Sequence, residues 1–246
     1  MGSAAACDDP TVPERIEAVD WGAVPGPPGW YEPERVAPGL RVLSGASNLV
    51  RAAEAGSLLG CGGIVHDHSG TVFPAAALAA PLLLDIARRG HPAARDTALV
   101  LLDEALRFRP HPGYERLAAP DGTTARLCCA LAHHLRAHTD FLTGPGGPGR
   151  SLLTDAAAHW RFEIHESVAD GTDTAAFGTL SGRFPKDARS AELHHDGHVT
   201  VLNGLTLEYP PEDDSPEACL RIPALHPDEL PPGAVLLAAG CGDRAY

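Results

Sequence analysis

GTVFPAAALAAPLLLDIARRGHPAARDTALVLLDEAL, residues 70–106, holds two apolar helical runs with only Gly90, His91 and Pro92 between them. Pro74 suits a first helical turn, Pro81 is expected to bend the run, and Gly90 closes it. Pro92 opens the next run, in which Ala98, Leu101, Leu102 and Ala105 share one face. One such helix cannot bury its apolar face alone, so the pair is expected to fold back as a hairpin. Upstream, Pro33 starts a run that Gly45 ends, and Ser47 is placed to cap NLVRAAEAGSLL, which stops at Gly60.

Corresponding helix starts fall at about 33 and 74, then at about 48 and 92. The offsets, about 41 and 44 residues, lie within the roughly 40–47 of HEAT and armadillo units. A third pair is expected at about 123–142 and 151–166, joined by GPGGPGR. After Asp170 the period changes from helical to two. In AELHHDGHVTVLNGLTLEY, residues 191–209, Asp196-Gly197 and Asn203-Gly204 read as two-residue turns between three short strands. That pairing puts Leu193, His195, His198, Thr200, Leu202, Leu205, Leu207 and Tyr209 on the expected core face. Glu192, His194, Val199, Val201, Thr206 and Glu208 fall on the other. The fold class read from these patterns is mainly α, with HEAT-like stacked helical hairpins and a C-terminal antiparallel β-meander. The domains are an irregular segment at 1–32, a helical region at 33–170 and a β-rich extension at 171–246.

Trp21, then His68, Gly70, Thr71, Val72 and Phe73, with Pro81 inside the following helix, form a pattern over residues 20–108. It resembles a group of actinobacterial HEAT-like repeat proteins. Phe73 stands where that pattern has a tyrosine, and the tract around Pro25 to Pro28 departs from it. The resemblance implies a solenoid with a binding face and an immunity or partner-binding role, and no particular chemistry.

The formal net charge is −13, and Lys186 is the single lysine. So acidic a chain repels phosphate backbones and has no basic stripe, so nucleic acid is not expected as a partner. No apolar run approaches the roughly 18 residues of a membrane span, and the first twenty residues lack a basic, then apolar leader pattern. A cytoplasmic protein without membrane partners is expected. The six cysteines, Cys7, Cys61, Cys128, Cys129, Cys219 and Cys241, form no C-x-x-C pair. Adjacent Cys128 and Cys129 on a helix point about 100° apart, so they are expected to be buried thiols.

Thirteen histidines supply most of the candidate chemistry. His134 and His138, one helical turn apart, could share a zinc ion, or could be core histidines with hydrogen-bonded rings. The sequence lacks the glutamate of a metalloprotease H-E-x-x-H, and neither a metal nor any other cofactor is expected. In IVHDHSG, His68 could act as a general base beside Asp67, or Asp67 or Ser69 could simply cap the following helix. His195 and His198 oppose each other across the Asp-Gly turn at an expected solvent-facing tip. PPGAVLLAAGCGDRAY, residues 231–246, has the look of the first strand and glycine loop of a methyltransferase. Without a following helix and strands, it carries no site.

The function expected is a non-enzymatic binding protein, holding a protein, peptide or small cationic ligand on a helical-repeat surface. Two loops are its expected recognition surface: His66, Asp67 and His68 in one, Arg107, Arg109, His111 and Tyr114 in the other. The alternative is a small-molecule enzyme of a biosynthetic pathway with a histidine-lined pocket, in which His134 and His138 would supply a metal site.

Overall fold

The computed structural model describes residues 10–118, 124–144, 149–187, 189–211 and 215–240. Cys7, Cys241 and most of the GPGGPGR linker lie outside the described residues. The chain divides into two compact units, residues 1–108 and 109–246. This boundary differs from the divisions at 32 and 170 that the sequence patterns suggest.

The first unit is helical. Helix α1 (Val12–Glu17) opens on a capping box, in which Thr11 and Glu14 satisfy each other's backbone N–H groups. Trp21 follows in a short 3₁₀ turn; its indole donates to the Ile16 carbonyl at 3.1 Å, and the Tyr31 hydroxyl donates to the Trp21 carbonyl at 3.0 Å. Helices α2 (Val36–Ser44) and α3 (Leu49–Gly60) form the first hairpin; Asn48, not Ser47, caps α3. A two-residue strand pair, β1 (Val65–His66) and β2 (Thr71–Val72), leads to α4 (Ala75–Arg89) and α5 (Pro92–Arg107). Helix α4 runs through Pro81 without interruption.

These hairpins do not stack as a solenoid. In a solenoid each repeat meets only the next one in the stack, whereas here α4 is packed by α1 and α2 as well as by its hairpin partner α5. Nearly every residue of α4 from Ala75 to Ala87 is buried, which marks a central helix wrapped on all sides. The apolar periodicity that suggested a repeat comes from a small bundle around α4. Asp85, buried in α4, is paired with Arg15 of α1 and with Arg89 at 3.3 Å.

The second unit starts with β3 (Arg109–Pro110) and a hairpin of β4 (Arg116–Ala118) and β5 (Thr124–Arg126). Three helices follow: α6 (Leu127–Arg136), α7 (Thr139–Thr143) and α8 (Arg150–Ala156). The expected helix through residue 166 is replaced by a strand. RFEIHESVAD alternates, burying Phe162 and Ile164, and forms β6 (Arg161–Asp170). With β7 (Asp173–Ser181), β8 (Arg189–His195), β9 (His198–Tyr209), β10 (Glu217–Ile222) and β11 (Val235–Ala238) it makes a closed antiparallel barrel. Its order is β10-β7-β6-β11-β8-β9. Because β11 returns to lie beside β8, strands β8 to β11 form a Greek key. A mainly α HEAT-like fold is therefore overturned by a helical bundle and a β-barrel on one chain.

Three glycines shape the barrel. The Asp196-Gly197 turn, with both residues at positive φ, joins β8 to β9 and sets His195 opposite His198. Asn203-Gly204 is not a turn. Strand β9 continues through it, and Gly204, at φ 76°, takes a bend where β9 leaves β8 and passes on to β10. The expected three-stranded meander is thus two strands of a closed sheet. Gly178 faces a bulge in β6, where an added Cβ would sit 2.0 Å from the Glu163 carbonyl oxygen.

The barrel interior is filled by Phe162, Ile164, Leu193, Leu202, Leu205, Leu220, Ile222 and Leu236, and Trp160 stacks on Phe184 at 4.7 Å. The face assignment for 191–209 needs correcting in part. Leu193, Leu202 and Leu205 are buried, yet His198, Thr200 and Tyr209 are exposed, while Glu192 and His194 from the expected outer face are buried. Strand β8 is covered on both faces, and a period-two pattern alone cannot report that.

Candidate functional site

Helices α3 and α5 of the first unit enclose a cleft of about 370 Å³. Its α3 side consists of small residues, among them Gly56, Ser57 and Gly60. An added Cβ on Gly56 would meet Thr97 of α5 at 3.4 Å, and one on Gly60 would lie 3.9 Å from Asp67 Oδ2. Both glycines therefore leave open space that side chains would fill. On α5, Asp96, Val100 and Glu104 succeed one another at four-residue intervals and face the cleft. Asp67 reaches it from the 3₁₀ turn Asp67–Ser69 between β1 and β2. Val100 adds an apolar rim, with about half its surface exposed.

Three carboxylates thus line one small cleft. Burial pushes Glu104 above the ordinary carboxylate range, and the negative charges of Asp67 and Asp103 push it further the same way. The neighbouring Asp103 is engaged by Arg107 at 3.2 Å. The local field accordingly favours a positively charged group.

Residues singled out from the sequence fall in different places. His66 accepts or donates to Ser69 Oγ at 2.9 Å and packs edge-on against Trp30, with ring centroids 5.2 Å apart. Asp67 Oδ1 accepts the His68 backbone N–H at 2.7 Å, and the His68 ring is 3.8 Å from the same oxygen. His68 is 82% exposed, so the side chain considered as an alternative general base is solvated next to the cleft. Arg107 belongs to the first unit, whereas Arg109, His111 and Tyr114 belong to the second, where His111 and Tyr114 stack edge-on at 5.9 Å. The two expected recognition loops are thus divided between the units.

His134 and His138 are not on one helix. Helix α6 ends at Arg136, and His138 stands at the position just before α7. Burial first, then the charges of His133 and His138, holds His134 below its ordinary value, so it is neutral at pH 7. Among the described residues, the cluster of three or more metal-type donors is elsewhere, at Cys128, Cys129 and His159. His195 and His198 lie opposite each other at the hairpin tip, and His195 contacts Asp196 at 3.0 Å.

Sequence reasoning missed Glu192. Its carboxylate takes Arg116 at 2.5 and 3.0 Å and Arg126 at 2.9 Å, and His194 Nε2 lies 3.2 Å from it. Arg116 and Arg126 are direct cross-strand partners on β4 and β5, an arrangement that is repulsive unless an anion sits between them. Burial raises Glu192, but the two guanidinium groups outweigh it and hold the carboxyl below its ordinary value. With both carboxylate oxygens occupied by cations, this is an anchor between hairpin and barrel and leaves no open position for substrate.

Compared with known proteins, the chain matches no family model, no curated protein and no solved structure.

Proposed function

We propose that this protein is a non-enzymatic binding module whose α3/α5 cleft holds a cationic group, an amine or guanidinium of a small molecule or basic peptide. The lining of one cleft by Asp67, Asp96 and Glu104, with a raised Glu104 carboxyl, carries this reading. A bound cation would offset both the burial that chiefly raises Glu104 and the repulsion from Asp67 and Asp103 that adds to it, so binding gains from a pre-existing electrostatic cost. The cleft is at the small end of the roughly 300–1,000 Å³ typical of small-molecule sites, and Val100 suits the alkyl stem of such a ligand. The net charge of −13 steers cations toward the surface and disfavours nucleic acid.

Among the described residues no helix is long and apolar enough to cross a membrane. Cytoplasmic residence belongs to the same proposal, supported by Cys61 and Cys219, which form no disulfide among the described residues.

Isothermal titration against matched pairs, an alkylamine and its neutral alcohol, a basic peptide and its acetylated form, tests the proposal. Only the cationic members should bind, with affinity falling as salt rises. Asp96→Asn and Glu104→Gln should each weaken binding. Equal binding of charged and neutral members, or indifference to both substitutions, would refute it.

A further inference from the structure

Cys128 and Cys129 are the second and third residues of α6, and His159 lies in the turn between α8 and β6. Their two sulfurs and a ring nitrogen of His159 all lie within 4.8 Å of one another. All three side chains are buried, at 5%, 4% and 6% exposure. We propose that Cys128, Cys129 and His159 form a zinc site in the second unit.

The geometry comes first. Two zinc-bound thiolates stand about 3.8 Å apart for Zn–S bonds near 2.3 Å at a tetrahedral angle, so the donors need to close by at most about 1 Å. Adjacent helical residues set out about 100° apart, yet here their sulfurs turn toward each other and toward one imidazole. A disulfide does not account for this convergence. Adjacent Cα atoms across a trans peptide are about 3.8 Å apart, below the roughly 4.4 Å at which disulfides begin.

The chemistry selects the ion. Thiolate and imidazole are the donors that zinc prefers, and Cys₂His is a known zinc donor set. Binding releases one proton from each thiol, and two thiolates with one divalent cation and a neutral imidazole sum to zero charge. Neutrality matters because the cysteines pack against Leu237, with Ala125, Val235 and Ala238 around them, and a net charge there would be costly. A monovalent copper ion would leave the group at −1. The first turn of α6 adds its own positive end, which favours thiolates. The support is fixed as well. Arg136 on the same helix donates at 2.8 Å to the carbonyls of both Ala156 and His159, which ties the His159 turn to α6. Among the described residues three donors converge, so the fourth corner of the tetrahedron falls to water or a small ligand.

The full-length chain, exposed to zinc and then desalted, should retain about one zinc per molecule by elemental analysis. Chelator-stripped protein titrated with Co²⁺ should develop a thiolate-to-cobalt charge-transfer band and tetrahedral d–d bands, a readout that needs no variant. Cys128→Ser, Cys129→Ser and His159→Gln should each lower zinc affinity by roughly tenfold to a hundredfold or more, with folding checked by circular dichroism. Cys61→Ser, in the other unit, should leave it unchanged. A wild-type chain that stays metal-free and gives no charge-transfer band overturns the proposal, as does zinc that survives the loss of both thiols.

Discussion

Replacing Glu192 by Leu would leave Arg116 and Arg126 facing each other across β4 and β5 with no anion between them. Removing one partner of a buried ion pair costs roughly 3–5 kcal/mol, because the remaining charge stays desolvated. Here the two arginines are 37% and 16% exposed, so Arg116 can turn partly to water while Arg126 cannot. The lower end of that range, about 3 kcal/mol, follows. For a unit of this size each kcal/mol lowers the melting temperature by about 3 °C, so the barrel transition should fall by about 9 °C. Calorimetry would follow that transition, with fluorescence of Trp160, buried in the barrel core, as a local probe. Replacing Arg116, Arg126 and Glu192 together by apolar residues of similar size should recover most of the loss. The pH dependence is a second constraint. Glu192 has a folded-state pKa below the ordinary 4.5, so its stabilisation is complete above that value and disappears as pH falls through the folded one. The gap between wild type and variant should therefore narrow in acid. A Glu192→Leu protein melting within about 2 °C of wild type, or a gap that persists unchanged in acid, would refute the anchor.

Glu104→Gln should raise thermal stability near neutral pH while weakening cation binding, since a raised folded pKa means that stability declines as pH rises from 4.5 through the folded value; paired melting and titration experiments check this. His134 and His194 are both held below 6.5, chiefly by burial, so stability should fall as pH drops below 6.5 and the unfolded chain gains protons first. A melting series across that window tests it, and His134→Gln should flatten part of the slope. Gly178→Ala should cost about 2–3 kcal/mol or more, because the new Cβ has to displace the Glu163 carbonyl in the neighbouring strand; chemical denaturation measures this. Gly60→Val should fill the α3/α5 cleft and abolish cation binding with little change in melting temperature, read by titration and calorimetry.

What the sequence by itself determined was local. Pro92 and the glycines at 45 and 90 bound helices, and Asp196-Gly197 makes a hairpin turn, because each acts through the φ and ψ of one or two residues. Asp96, Val100 and Glu104 are legible too, as a stripe at four-residue spacing on α5, although the apolar face of that helix is the stronger signal. Only the tertiary structure decided between stack and bundle. Helix spacing is the same in both, and the difference is whether α4 is enclosed by α1, α2 and α5. Barrel closure was likewise out of reach. It depends on β11 pairing with β6 and β8, and on β10 pairing with β7, contacts between segments dozens of residues apart. Asn203-Gly204 carries the same turn chemistry as Asp196-Gly197, yet the pull of β10 on the far half of β9 makes it a bend within a strand. The buried Glu192 and the Cys128, Cys129 and His159 cluster follow the same rule. A side chain's type is written locally, but its burial and its partners come from whatever the fold lays over it.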